Sequence, residues 1–126
     1  MITQYFQAIR NIAEEFEKNH KDCQKLLDSL FELQKNGGRL FIIGVGGSAA
    51  NASHAVNDFR KLCGIEAYCF DNLAELTART NDEGWETIFE SWLMGNNLTG
   101  SDMVMVFSVG GGNEEKKVSV NIVNAL

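Results

Sequence analysis

Residues 39–48 constrain the fold more than any other part of this chain. Residues 39–43 are a mostly apolar run that follows two glycines, which is typical of a parallel strand buried on both faces. The glycine-rich residues 44–48 come next, and a helical pattern then covers residues 49–63. A strand, a glycine turn and a helix in that order predict a βα unit of a parallel sheet.

The rest of the chain repeats this arrangement. Short strands are predicted at residues 67–70 and 103–107, with helical patterns at 73–80 and 85–94 and a further helix from Val118 onward. Strands that alternate with helices predict an α/β fold with a doubly wound parallel sheet in three layers. The third strand would expose an unpaired apolar edge, so we expect the natural chain to continue.

Two helices are predicted before the first strand. Each shows one apolar stripe with members three or four residues apart: Ile2, Phe6, Ile9, Ala13 and Phe16 in the first, and Cys23, Leu26, Leu27, Leu30 and Phe31 in the second. We predict one domain over residues 1–126. Residues 1–37 would hold the two leading helices, and residues 38–126 the first three βα units of a truncated sheet.

Composition excludes several classes of function. Seventeen acidic against eleven basic residues give a net charge of -6, which would repel a nucleic-acid backbone. The longest apolar run is too short for a bilayer, and the N-terminus has charges where a secretory signal would be apolar. The three cysteines lack metal-ligand spacing. We expect a cytoplasmic protein with reduced thiols and neither a membrane nor a nucleic-acid partner.

The first glycine loop (residues 44–48) predicts an anion site. Gly46 and Gly47 allow close approach of the backbone, and Ser48 adds a hydroxyl at the start of the helix. The amides there point outward with partial positive charge, which suits a phosphate. A purely structural alternative is a tight connection in which Ser48 serves as the helix N-cap.

The second glycine loop (residues 108–113) repeats the pattern after the third strand. It contains Ser108, Gly110, Gly111, Gly112 and Asn113 and is predicted to open the next helix. Three successive glycines expose backbone amides in a concave, anion-binding nest. We expect the two loops to lie side by side and to hold one phosphate.

A dinucleotide site is an open alternative. Gly44, Gly46 and Ala49 satisfy the G-x-G-x-x-G/A fingerprint, and Asp71 ends the next strand. That fingerprint does not call for a second glycine loop, which favours the phosphate interpretation.

Residues 44–54 resemble the G-N-G-G-S-x-x-D-A-x-H signature of phosphoheptose isomerases, which are sugar isomerase (SIS) domain enzymes. Residues 81–85 are similar to their N-D-x-G-aromatic segment. The resemblance covers essentially the whole chain and about the first two-thirds of a typical member. It implies a flavodoxin-like sheet of five parallel strands, so that the C-terminal strands are missing here. It also implies a homotetramer whose active sites lie between subunits, with residues 1–37 as the N-terminal helices for oligomerisation.

The resemblance further implies a reaction. These enzymes isomerise sedoheptulose 7-phosphate to glycero-manno-heptose 7-phosphate, the first committed step towards the heptose of lipopolysaccharide or capsule. By position, Ser48 and residues 108–113 would hold the phosphate of this sugar-phosphate substrate. No cofactor would be required, although some members bind zinc at the site.

The resemblance also assigns catalytic positions. Asp58 falls where the family has a glutamate base, and His54 and Asn51 fall on a family histidine and aspartate. Asp82 falls on an aspartate near the substrate, beside Asn81. Asp58 is one methylene shorter than glutamate, the second loop has glycines where much of the family has serines, and the family's second catalytic histidine lies in a C-terminal helix that this sequence does not contain.

The spacing of His54 and Asp58 fits several roles. Residues four apart share a helix face, so this pair can act on one substrate, contribute two ligands to a metal, or form an ordinary surface ion pair. For Asp82, the structural alternative is the N-cap of the helix that follows it. A non-catalytic SIS module that binds a sugar phosphate or a protein partner is the alternative function.

Overall fold

The computed structural model describes residues 1–126, which divide into two compact units, Met1–Glu32 and Leu33–Leu126. The two predicted leading helices are confirmed as α1 (Ile2–Lys18) and α2 (His20–Lys35). No helix of the chain has both the length and the apolar character needed to cross a membrane.

The apolar stripe of α1 is exposed. Helix α1 has no buried residue. Six of its large apolar side chains are between 44% and 75% exposed, namely Ile2, Tyr5, Phe6, Ile9, Ile12 and Phe16. The three- and four-residue spacing that predicts a helix therefore also produces a continuous apolar face on its surface.

The second unit is built on a parallel sheet of three strands, β1 (Arg39–Gly44), β2 (Glu66–Cys69) and β3 (Met103–Phe107). The strand order is β2-β1-β3. Strand β1 pairs on both sides, with Phe41 opposite Tyr68 in β2 and opposite Val104 in β3. This central position explains the unbroken apolar sequence of β1, whose four apolar side chains are at most 1% exposed.

Helices cover both faces of the sheet, as the doubly wound prediction requires. On one face Phe41 and Ile43 pack with Ile88 and Trp92 of α5 (Ile88–Gly95) in a single apolar cluster. Side chains alternate along a strand, and α3 (Gly47–Cys63) covers the other face through the buried Ala52 and Val56. Helix α4 (Leu73–Asp82) and a 3-10 turn (Trp85–Thr87) precede α5, and α6 (Val120–Val123) follows β3.

The prediction that the second glycine loop opens a helix is wrong. Residues 108–119 form turns, and Asn113 and Val118 pair as an isolated antiparallel bridge. The Asn113 side-chain Oδ1 accepts a hydrogen bond from the Lys116 amide at 2.7 Å. Such a local side-chain bond competes with helix formation, and α6 begins only at Val120.

The amino-terminal edge of the sheet is held by a buried ion pair. The Arg39 guanidinium donates to both carboxylate oxygens of Asp102, at 2.7 and 3.1 Å, and the Thr99 amide donates to the same carboxylate at 2.8 Å. The Asp102 side chain is only 3% exposed. The Arg39 hydrogen bonds hold the pKa of Asp102 well below its usual value.

We expect Asp102→Asn to lower the melting temperature by about 5 °C or more, because it removes the charge that Arg39 needs in a nearly dry position. Because the folded-state pKa of Asp102 is lowered, the stabilisation is present above the unfolded-state pKa and is lost as the pH falls. The difference in melting temperature between variant and wild type should therefore be largest above about pH 5 and become smaller in more acidic solution.

Thermal unfolding followed by circular dichroism across this pH range tests the expectation. The matched control is Asp22→Asn, which removes an ion pair with Lys25 whose side chains are 81% and 77% exposed. An exposed pair contributes little, so this control should unfold like the wild type. Equal melting temperatures for Asp102→Asn and Asp22→Asn would contradict the assigned role.

Candidate functional site

The pairing of β1 with β3 brings the two glycine loops together. Parallel neighbours end at the same edge of a sheet, and Gly44 at the end of β1 lies opposite Phe107 at the end of β3. A cavity of about 260 Å³ opens between the loops. We call it the two-loop cavity; its wall includes Val45, Ser48, Ser108, Val109, Gly110 and Ile122. The expectation that the loops lie side by side is confirmed.

The first glycine loop has two positions that require glycine. A Cβ on Gly44 would lie 2.8–2.9 Å from atoms of Ser48, so only glycine lets the strand end pack this closely on the start of α3. Gly46 has φ 62° and ψ -122°, a backbone conformation that side-chain-bearing residues rarely adopt. The turn therefore begins α3 at Gly47, two residues earlier than helical periodicity predicts.

Ser48 is free to bind a ligand. The N-cap of α3 is Gly46, and no side chain caps this helix end, so the alternative in which Ser48 is the N-cap is wrong. The Ser48 hydroxyl makes no hydrogen bond within the chain, and the residue lines the two-loop cavity. The amides of Gly46 and Gly47 also lack a carbonyl partner. Unpaired donors at a helix start are suited to an anion.

The second glycine loop is partly committed to its own structure. The Gly111 amide donates to the Ser108 hydroxyl oxygen at 3.0 Å, and Asn113 pairs with Val118 through both its amide and its carbonyl. The amides of Val109, Gly110 and Gly112 have no partner within the chain. The free donors of this loop are therefore backbone amides, whereas Asn113, predicted to bind substrate, already uses its side-chain oxygen in a turn.

His54 and Asp58 form the expected pair on α3. His54 Nε2 lies 3.4 Å from Asp58 Oδ2, and the side chains are 79% and 47% exposed. Asn51 is exposed and, seven residues before Asp58, lies on the same helix face. None of the three lines the two-loop cavity. The structure thus places these three residues on a solvent-facing side of α3, outside the two-loop cavity.

The zinc prediction has limited support in this chain. His54 and Asp58 offer two donor atoms, while protein zinc sites use three or four ligands. No group of three histidine, cysteine, aspartate or glutamate side chains is placed to hold a metal ion. Two donors alone do not fit a zinc site, so zinc stays a prediction and no step below depends on it.

Asp82 is not the N-cap of the helix that follows it. It is the last residue of α4, and the 3-10 turn after it is preceded by Gly84 without a side-chain cap. The N-cap interpretation of Asp82 is therefore wrong. Asn81 Nδ2 donates to Asp82 Oδ1 at 2.7 Å, and both side chains are exposed. Their predicted contact with substrate stays a prediction.

A smaller cavity of about 120 Å³ lies at the ends of β1 and β2, where the dinucleotide alternative would place a ribose. Phe70 and Phe89 form part of its wall, together with Cys69 and Asp71. Burial, and then the Asp71 carboxylate, raise the pKa of the Cys69 thiol. Ser48, together with Val109 and Gly110, whose amides have no partner within the chain, lines the two-loop cavity instead, which favours a phosphate there.

Sequence reasoning missed the outer wall of the two-loop cavity. Val118, Ser119 and Ile122 contribute to it, although only Val118 and Ile122 appear in the sequence pattern, as members of a predicted helix. Their position depends on the turn that Asn113 makes. An asparagine three residues before a lysine amide is a weak local signal that could have suggested this turn.

A parallel sheet of order β2-β1-β3, with glycine loops at the ends of two adjacent strands and a cavity between them, defines an α/β domain with a candidate ligand site at the carboxyl edge of its sheet. The sequence profile of the SIS domain family matches residues 4–124. The chain therefore belongs to the SIS domain family.

Individual relatives agree with this family. The phosphoheptose isomerase of Aneurinibacillus thermoaerophilus is 30% identical over 114 residues, which are 82% of this chain and 52% of the relative. The lincomycin biosynthesis protein LmbN of Streptomyces lincolnensis is 34% identical over 104 residues, 74% of this chain and 36% of the relative. This chain thus spans about half, or less, of the length of these relatives.

A solved structure shows the same fold. The phosphoheptose isomerase GmhA of Neisseria gonorrhoeae superposes with a TM-score of 0.68 at 21% sequence identity, covering 92% of this chain and 65% of that structure. The flavodoxin-like prediction agrees with this match, since the order β2-β1-β3 is the first part of the flavodoxin order.

We expect Gly46→Ala to destabilise the protein by about 1–3 kcal/mol, because alanine at φ 62° is strained even though no atom would clash with its Cβ. Gly47→Ala is the matched control. Its Cβ also meets open space, and Gly47 is helical with an ordinary negative φ. The control should be neutral or stabilising by up to about 1 kcal/mol. Urea unfolding measures both; equal effects of the two substitutions would contradict the strain assigned to Gly46.

Proposed function

We propose that the protein is a sugar-phosphate isomerase that converts sedoheptulose 7-phosphate to glycero-manno-heptose 7-phosphate. The observation that carries the proposal is the pair of adjacent glycine loops that share one cavity and have backbone amides without a partner in the chain. Membership of the SIS family and relatives named phosphoheptose isomerase give the class of sugar. The product would supply heptose for surface polysaccharides.

The phosphate would lie in the two-loop cavity. Amides of Gly46 and Gly47 at the start of α3 and of Gly110 in the second loop have no internal partner, and the Ser48 hydroxyl adds a donor. Such an arrangement can hold a doubly charged group without a nearby lysine or arginine, because oriented amides carry partial positive charge. The sugar is thereby anchored at one end.

Asp58 and His54 would carry the proton transfers. Aldose-ketose isomerisation moves a proton between adjacent carbons through an enediolate, and a second group moves a proton between the two oxygens. Asp58 would act as the carboxylate base and His54 as the partner that protonates or stabilises the oxygen. Asp82 would orient the sugar.

The distances suit an extended sugar. Ten residues of helix separate Ser48 from Asp58, about 15 Å along the axis. This distance is too long for one phosphate group to contact both Ser48 and Asp58. The second glycine loop would shorten this span by holding the phosphate further along α3, so that an extended seven-carbon sugar phosphate could nearly bridge it.

We further propose that the site is completed by assembly. His54 and Asp58 are largely open to water, whereas proton abstraction from carbon is favoured where water is excluded. The apolar face of α1, with six large side chains at least 44% exposed, supports a homo-oligomer, in keeping with the tetramer that the family resemblance implies. A cytoplasmic enzyme without a required cofactor agrees with the composition.

Ser48→Ala should weaken phosphate binding about tenfold, because it removes one hydrogen bond to a charged group. Titration calorimetry with inorganic phosphate and with sedoheptulose 7-phosphate measures the change. Ser101→Ala is the control, since Ser101 is exposed in the turn before β3, at the opposite edge of the sheet. A Ser48→Ala protein that binds both ligands like the wild type would remove Ser48 from the site.

Asp58→Asn in the full-length protein should lower the rate of turnover at least about 100-fold and leave phosphate binding intact. Asp58→Glu restores the family's residue and should retain activity. Glu90→Gln, an exposed carboxylate on α5, controls for the loss of one charge. Conversion of sedoheptulose 7-phosphate to the aldose is followed by chromatography of the products.

Unchanged turnover in Asp58→Asn would exclude Asp58 as the base. Tight binding of the heptulose phosphate without any conversion by the wild type would refute the enzyme and select a non-catalytic SIS module.

A further inference from the structure

Asn121 is an anomaly in the core of the second unit. Its side chain is 0% exposed, and neither Oδ1 nor Nδ2 has a hydrogen-bond partner. A buried amide without partners destabilises the folded state, and an apolar side chain of similar size would remove that cost. The packing around this position therefore offers no reason for an asparagine.

Asn121 belongs to α6, the helix on which the second glycine loop packs. Its neighbour Ile122 lines the two-loop cavity. Gly112 of the loop rests on the same helix, since a Cβ on Gly112 would lie 2.7 Å from Val123 Cγ2 and 3.0 Å from the Ser119 carbonyl oxygen. A shift of the loop therefore changes the surroundings of α6.

The segment between the loop and Asn121 carries two further costs. Lys117 and Ser119 have φ 52° and 48°, the left-handed region that residues with side chains seldom adopt. The amides of Gly110 and Gly112 lack partners. Strain and unpaired polar groups concentrated at one place are typical of segments that change on binding.

We propose that Asn121 is a positioning residue for the second glycine loop: its buried amide gains a partner from the backbone of residues 117–119 when an anion occupies the two-loop cavity. The anion accepts hydrogen bonds from the free amides of the loop. The backbone then rotates, which relieves the left-handed conformations of Lys117 and Ser119. Ligand binding then supplies the hydrogen bonds that the free protein lacks. The inference shares with the proposed function only the binding of a phosphate in this cavity.

Asn121→Leu tests this idea because it predicts two opposite changes. The free protein should melt at a higher temperature, since the unpaired amide is gone, and inorganic phosphate should bind about tenfold more weakly. A purely structural asparagine would not move the two readouts in opposite directions. Asn124→Ala is the control on the same helix; it loses an exposed bond to the Glu86 carbonyl and should leave phosphate affinity unchanged.

A lower melting temperature for Asn121→Leu, or phosphate affinity equal to that of the wild type, would overturn the proposal. Amide hydrogen exchange of the wild type is a second measurement that needs no variant. Phosphate should slow exchange across residues 109–121, and unchanged exchange, or no phosphate binding, would also overturn it. If Asn121→Leu shows both changes but the wild type does not convert heptulose phosphate, only the isomerase proposal is refuted. If the wild type converts heptulose phosphate but Asn121→Leu does not show both changes, only the role of Asn121 is refuted.

Discussion

The hydrogen bonding of β1 on both of its edges is the constraint on which the second unit depends. With β2 on one side and β3 on the other, residues 40–44 of β1 are buried, and the apolar side chains of the strand pack above and below the sheet. Because all three strands are parallel, β1 and β3 must end at the same edge. The position of the candidate site is thus a consequence of strand pairing, and the glycine-rich turns at the two strand ends form the walls of its cavity.

Most of the fold was accessible from the sequence because its signals are local. Strand β3 has the predicted bounds, and the apolar run of residues 39–43 identifies the central strand. Where the prediction failed, a specific geometry intervened. The turn at Gly46, with its positive φ, lets α3 begin at Gly47, before the apolar periodicity of the helix is visible in the sequence. The side chain of Asn113 closes a turn and delays α6 to Val120, although the apolar spacing beyond Val118 is typical of a helix.

The site was predictable in its outline and less so in its details. The repetition of glycine-rich strand ends predicts two adjacent loops, and the spacing of His54 and Asp58 predicts a pair on one helix face. The sequence could not show that Ser48 is not the N-cap of α3 or that Asp82 is the last residue of α4. Both depend on where a turn closes. It also could not reveal Asn121, since an unpaired buried amide exists only once the surrounding side chains have packed. The catalytic roles of these residues stay predictions.

The two ends of β1 have separate tasks. At its amino end Arg39 and Asp102 bind the sheet together, and at its carboxyl end the glycine loops surround the cavity. Five residue steps of strand, about 16 Å, lie between them. Substitutions this far apart that share no partner generally have additive free energies. The protein can therefore be made more robust at one end of this strand, by engineering or by drift, while the binding chemistry at the other end evolves independently.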